Sequence, residues 1–457
     1  MRNLTTIKGW IRAALVIALV IPAAPGALAR SVGLDVEMSS PMILAGAPQR
    51  AYLRIALEGL ETSRARRAPI NVALVLDRSG SMSGRKIEEA KRAAIMAIGL
   101  LRDDDIVSVV TYESTVDVLV PATKVSDRET ICNMIRGVQA GGNTALFAGV
   151  SKGAMELRKF LDRNRVNTLI LLSDGLANVG PSSPGELGQL GASLAREGVA
   201  VTTIGLGLQY NEDLMTRLAM ASDGNHFFVE DEADLEYAFA TEFGDAVSVV
   251  AQGVSIHIHC PEGIRPIRML GREAQISGQD VFASLNQLYK NQTRYLLLEV
   301  ELPTARTGNV RPVAEVSVGY HDLLSGSRGT LRGGASVTFT DSEAQVEQQA
   351  NRAVMVAIAS QIGAEQNELA TALRDEGKVD EARQAFLSNA QYLQEAGARW
   401  DDSRLQLDAD YNAEASQNLN EEQWKRERKK QRELQYKTKT QRAWSSTEQK
   451  GEQKKDD

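Results

Sequence analysis

Hydrophobic and polar positions change their spacing several times along the chain, and each change predicts a different architecture. Over residues 31–62 they alternate, as in Ala51-Tyr52-Leu53-Arg54-Ile55-Ala56-Leu57. Alternation at a period of two predicts half-buried strands. From Ile70 onward short apolar runs take turns with helical patterns. Val72-Ala73-Leu74-Val75-Leu76 reads as a buried strand. After it, Ile87, Ala90, Ala94, Ile98 and Leu101 recur every three or four residues, which predicts a helix starting near Arg85. Asp103-Asp104-Asp105 ends that helix. Further strands are predicted over 106–112 (with a hairpin partner at 118–120), 168–172, 200–205 and 227–229. Helices are predicted over 127–138, 146–161, 184–197, 212–221 and 231–244. Strands alternating with helices predict an α/β unit with a doubly wound, mainly parallel sheet covered on both faces.

Strand patterns return over 254–259, 275–277, 294–302, 313–320 and 335–339. These are expected to pair with residues 31–62 in one antiparallel β-sandwich, with the α/β unit inserted into it. Insertion is easy where a domain's chain ends lie close together. From Asp341 the chain is rich in Ala, Gln and Glu. One helix to about Arg374, a turn at Glu376-Gly377-Lys378 and a second helix over 379–395 make an α-helical hairpin. The expected partition is 1–29 leader, 30–66 sandwich strands, 67–246 α/β unit, 247–340 sandwich remainder, 341–415 helical hairpin and 416–457 charged tail. The tail reads as a solvated helix or a disordered extension. Arg64-Ala65-Arg66-Arg67, closed by Pro69, reads as a basic linker.

Composition adds little to this, but the amino terminus adds much. The 457 residues are 43% apolar and 24% charged, ordinary for a globular protein. Arg2, Lys8 and Arg12 precede an apolar stretch over 13–21, and Ala27-Leu28-Ala29 is a small-x-small cleavage signal. That combination predicts a secretory signal peptide cut before Arg30. The expected location is therefore outside the cytoplasm, periplasmic or secreted. Removing three basic residues makes the formal charge of −7 more negative still, which excludes a general nucleic-acid binder. No other stretch is apolar for long enough to predict a membrane span. Two cysteines, Cys132 and Cys260, are expected as separate buried thiols, with a Cys132–Cys260 bridge as the alternative.

The candidate chemistry lies at the predicted strand ends. Asp77-Arg78-Ser79-Gly80-Ser81-Met82 directly follows the first α/β strand. Open α/β sheets place their ligand crevices there. A second loop supplies Thr144 and a third, Ser173-Asp174-Gly175, supplies Asp174. Asp77, Ser79 and Ser81 alternate, so all three can face one point. Two carboxylates at close range repel unless a cation sits between them. Hard oxygens without Cys or His suit Mg2+, with Mn2+ or Ca2+ as alternatives. Hydroxyl ligands leave such an ion electron-poor, so its open position attracts an outside carboxylate. The competing reading of Asp-x-Ser after a strand is a turn and helix cap.

Taken together, Asp77-x-Ser79-x-Ser81, Thr144 in Gly-Gly-Asn-Thr-Ala-Leu, and Ser173-Asp174-Gly175 resemble the metal-ion-dependent adhesion site (MIDAS) of von Willebrand factor type A domains. The resemblance covers residues 70–245. The wider layout resembles exported bacterial proteins of this class and the heavy chains of inter-alpha-trypsin inhibitor. The resemblance implies that Ser79, Ser81 and Thr144 ligate the cation through hydroxyls. It also implies that Asp77 and Asp174 bind it directly or through water, and that a partner Asp or Glu completes the octahedron. The expected function is non-enzymatic, metal-dependent protein binding or cell adhesion. One alternative is an assembly or channel-associated subunit acting through the helical hairpin on a membrane complex. Another is a metal-dependent hydrolase, for which no general base is apparent. Ser83-Gly84-Arg85-Lys86 matches a Ser-x-x-Lys motif without its companion motifs and reads as a cap and solvated helix face. His257 and His259 read as sheet-surface histidines.

Overall fold

The α/β sheet is built from strands too apolar to leave either face in water. The computed structural model describes residues 31–61 and 67–442, so the leader, most of the basic linker and the last fifteen residues of the predicted tail lie outside the described residues. The first strands are β1 (Val32–Met38), β2 (Met42–Leu44) and β3 (Gln49–Gly59). The α/β unit follows with β4 (Ile70–Asp77), α1 (Arg85–Leu100), β5 (Ile106–Tyr112), β6 (Val116–Lys124), α2 (Arg128–Arg136), α3 (Leu146–Arg158), β7 (Val166–Ser173), α4 (Pro184–Arg196), β8 (Val199–Leu206), α5 (Glu212–Ser222), β9 (His226–Val229) and α6 (Leu235–Ser248).

Among the described residues these strands form one sheet in the order β6-β5-β4-β7-β8-β9. Its pairings are parallel except between β5 and β6. Every residue of β4, β5, β7 and β8 is buried. Alternate residues of β4 enter two separate cores. Val72, Leu74 and Leu76 pack with Ile87, Ala90 and Ala94 of α1 and Phe239 and Phe243 of α6. Ala73 and Val75 pack with Val150 and Ala154 of α3, Leu187 of α4 and Leu218 of α5. A parallel sheet sandwiched between helices requires this continuous apolar run.

The chain returns in β10 (Val249–His259), β11 (Arg265–Leu270), β12 (Gln275–Ser277), β13 (Asp280–Tyr289), β14 (Thr293–Leu302), β15 (Val310–Asp322) and β16 (Ser327–Thr340). Among the described residues one sheet runs β1-β3-β14-β11 and another β12-β13-β10-β15-β16-β2. They share a core of Leu53, Ile55, Leu57, Val254, Ile256, Ile258, Leu298 and Val318, taken from alternate strand positions. The α/β unit leaves from β3 and returns into β10. At the exit, a Cβ built on Gly59 would lie 2.0 Å from the Tyr289 carbonyl oxygen, so only glycine fits this crossing. Cys132 and Cys260 are both free thiols.

The carboxy-terminal region departs from the expected hairpin and tail. Its helices are α7 (Glu343–Gln348), α8 (Arg352–Asp375), α9 (Val379–Trp400), α10 (Ser403–Gln417) and α11 (Glu421–Thr440). The single helix expected from Asp341 to Arg374 is interrupted, because Asn351 caps α8 by accepting from the Val354 amide at 3.3 Å. The expected charged tail instead contributes α11, with Trp424, Lys429, Gln431 and Tyr436 among its buried residues. It packs on α8, α5 and β9 through polar partners. Lys429 Nζ lies 2.5 Å from Glu212, Arg428 pairs with Glu212, Asp213 and Asp375, and Lys439 lies 2.5 Å from Glu368. Glu433 accepts from the Phe228 amide at 3.3 Å and so covers the sheet's edge strand. Inside the bundle Asn367 donates to Asn412 at 2.9 Å and to Gln431 at 2.6 Å. A helix held by such pairs has no apolar stripe to announce its burial.

One buried acid gives the fold a pH dependence. Glu242 of α6 is buried, and its carboxyl is pushed up from 4.5 to about 7, first by burial and then by the charge of Asp245. Between those two values the folded protein holds a proton that the unfolded chain has released, so stability falls as pH rises through this window. Glu242→Gln removes that slope and stabilises the fold above pH 7 by up to about 3 kcal/mol. Urea midpoints measured at pH 5 and pH 8 check this. An unchanged pH dependence in the variant refutes it.

Candidate metal centre

Asp77, Ser79, Ser81 and Asp174 sit where β4 and β7 end, whereas Thr144, expected at a strand end, lies on the loop between α2 and α3; backbone hydrogen bonds tie the three loops together. The Gly80 amide donates to the Gly142 carbonyl at 3.0 Å, and the Gly141 amide donates to the Arg78 carbonyl at 2.7 Å. The Asn178 and Val179 amides reach the Thr144 carbonyl at 3.2 and 3.3 Å. These links join the loop after β4 to the loop before α3, and that loop to the segment after β7.

Asp77 is fully buried. Its Oδ1 accepts from the Ser79 amide at 2.8 Å, and its Oδ2 accepts from the Ser173 hydroxyl at 2.8 Å. Burial, opposed by these bonds and assisted by the Asp174 charge, raises the Asp77 carboxyl above its ordinary value. Tyr112, buried beneath it, donates to the Leu172 carbonyl at 3.1 Å. Burial followed by the Asp77 charge keeps this phenol protonated far beyond its usual range. The hydroxyl oxygens of Ser79 and Ser81 are 3.1 Å apart. Ser81 donates to Asp174 Oδ1 at 2.6 Å. The Thr144 hydroxyl lies near the same point. A Cβ built on Gly175 would lie 3.3 Å from the Ser81 hydroxyl oxygen and 3.5 Å from that of Thr144. Glycine at 175 thus leaves room for a small group between these hydroxyls.

The donor set fits a hard divalent cation. Neighbouring oxygens of an octahedral Mg2+ shell are about 3 Å apart, given bonds of about 2.1 Å. The Ser79–Ser81 and Ser81–Asp174 separations, 3.1 and 2.6 Å, bracket that spacing. Among the described residues no group of three or more His, Cys, Asp or Glu side chains could hold a metal. A cation held here would draw on the hydroxyl oxygens of Ser79, Ser81 and Thr144 beside the carboxylates of Asp77 and Asp174. His257 and His259 both engage Asp280 Oδ1, at 2.8 and 2.9 Å, and His257 stacks on Phe282.

Residues 71–241 match the family model of the von Willebrand factor type A domain. This segment is a von Willebrand factor type A (VWA) domain. Over 311 residues the chain is 27% identical to the uncharacterized protein sll0103 of Synechocystis sp., covering 66% of this chain and 73% of that one. Over 179 residues it is 27% identical to human inter-alpha-trypsin inhibitor heavy chain H3, covering 37% of this chain and 20% of the heavy chain. The solved VWA protein of Catenulispora acidiphila superposes with a TM-score of 0.68 at 16% identity, over 82% of this chain and 89% of that one. That likeness extends the shared fold beyond the VWA segment. VWA domains mostly mediate protein interactions, often in a metal-dependent way.

Two contacts of the VWA site are not apparent from its motif. Asn178 Oδ1 accepts from the Thr144 amide at 2.8 Å and fixes the height of that loop. Lys86, expected on a solvated helix face, reaches Asp174 Oδ2 with its Nζ at 2.5 Å. The Ser-x-x-Lys spacing puts Lys86 three residues after Ser83, at the start of α1, but nothing in that spacing points to an acid 88 residues away.

Proposed function

We propose that the protein is an exported, non-enzymatic binding module whose VWA domain holds a divalent cation, Mg2+ foremost, and through it grips an Asp or Glu carboxylate of a protein partner. The observation that carries this reading is the gathering of Ser79, Ser81, Thr144 and Asp174 around one small space, with Asp77 buried behind them. When bound, the ion supplies a Lewis-acidic position for an outside carboxylate. Ser79, Ser81 and Thr144 offer neutral oxygens and so leave most of its charge uncompensated. Asp77 holds Ser79 by its amide and Ser173 by its hydroxyl, which keeps the first loop in place. Both carboxylates are already committed to such positioning bonds, which supports a binding role over a general-base role.

Calorimetry with Mg2+, Mn2+ and Ca2+ tests the reading, together with thermal unfolding. The protein is expected to take up at least one of these ions and to melt at higher temperature with it. At a hundredfold excess over Kd the stabilisation is about 2.7 kcal/mol. No heat and no melting shift with any of the three ions refutes it. Export rests on the amino-terminal pattern and predicts that protein purified from its native source begins at Arg30. An intact amino terminus refutes that part alone.

A further inference from the structure

The next inference rests on the metal-binding reading and concerns how the site controls its ion. Lys86 stands in the first turn of α1, where the aligned backbone amides are electropositive and acidic side chains are favoured. Arg85 beside it is answered by Glu232 at 3.4 Å. Lys86 instead reaches Asp174, which is fully buried, while the Lys86 side chain is 30% exposed. The other Asp174 oxygen accepts from Ser81. One carboxylate of the proposed donor set is therefore shared with an ammonium from the chain itself. Asp77 feels the Asp174 charge, so this ammonium also relieves the repulsion between two buried acids.

We propose that Lys86 is a built-in counter-cation of Asp174: it holds the carboxylate when no divalent ion is bound, competes with the ion for it, and so sets the ion affinity of the site. A divalent cation brought to the same carboxylate repels the ammonium strongly in this sheltered setting. Uptake of the ion therefore requires Lys86 to leave Asp174, and its partly exposed side chain gives it room to swing toward solvent. The site is then tuned to respond to ion concentration, releasing the ion more readily than the donor set alone would.

The test compares wild type with Lys86→Gln, Lys86→Met and Lys86→Arg, using calorimetric Mg2+ and Mn2+ titrations and melting with and without the ion. The two neutral variants are expected to bind the ion about tenfold tighter. They are also expected to melt lower than wild type without ion and to gain more on adding it. Lys86→Arg keeps the charge and is expected to match wild type. Wild-type or weaker affinity in a folded neutral variant, judged by circular dichroism, overturns the proposal while leaving the metal site standing. If wild type and all three variants show neither heat nor a melting shift, the metal-binding reading fails and this proposal fails with it. Uptake by the neutral variants but not by wild type supports it most strongly.

Discussion

Asp223→Asn is expected to destabilise the fold by about 3–5 kcal/mol, the cost of leaving a buried charge without its partner. Asp223 ends α5 in the left-handed backbone region, with φ of 57°. It accepts from both terminal nitrogens of Arg294 at 2.9 Å and from the Asn286 amide at 2.7 Å. Arg294 lies on β14 and is fully buried. Arg272 adds a third cationic contact at 3.5 Å. The Asp223 backbone carbonyl accepts from Arg442 at 2.6 Å. One residue therefore joins the VWA domain, the sandwich and the end of the carboxy-terminal helix. Burial alone would raise its carboxyl, but the guanidinium groups of Arg294, Arg272 and Arg442 hold it well below the ordinary carboxylate range. Its stabilising effect is complete above the unfolded carboxylate value and is lost as pH falls through the folded one. Asparagine tolerates the same backbone region, so the substitution removes the charge without adding strain. Urea unfolding at neutral pH measures the loss. A change under about 1 kcal/mol rules out this residue as the junction's electrostatic centre.

Asp77→Asn is expected to abolish cation uptake while the protein stays folded. The amide keeps the volume and can still accept from the Ser79 amide, as Asp77 does at 2.8 Å. It removes one of the two carboxylates in the donor set, which leaves the ion with hydroxyls and a single acid that Lys86 also contacts. Burial penalises the charged form of Asp77, so neutralising it costs the ion-free protein little. The expected calorimetric result is an affinity at least about a hundredfold weaker, since an acid facing a divalent ion is worth several kcal/mol at close range. The melting shift on adding ion should vanish with it. Equal heats in variant and wild type would place the cation elsewhere.

Much of this architecture is legible in the sequence because local burial leaves a local pattern. β4 is buried on both faces and reads as an unbroken apolar run. The inward positions of β3 and β10 read as alternation. The α/β stretch reads as strands alternating with helices, and its Asp77 and Asp174 motifs fall at strand ends. The carboxy-terminal helix α11 gave no such pattern. Its sequence, Glu421-Glu422-Gln423-Trp424-Lys425-Arg426-Glu427-Arg428, reads as a solvated face. It is buried because acids on α5 and α8 lie where its bases arrive.

The chain by itself determined which oxygens are available and which strands carry them, because hydrophobic period and turn chemistry act over a few residues. Only the tertiary structure decided that Lys86 meets Asp174, that Asn178 steadies the Thr144 loop and that α11 seals the sheet edge. Each of these depends on polar partners far apart in sequence, and a single ion pair or hydrogen bond leaves no periodic trace along the chain.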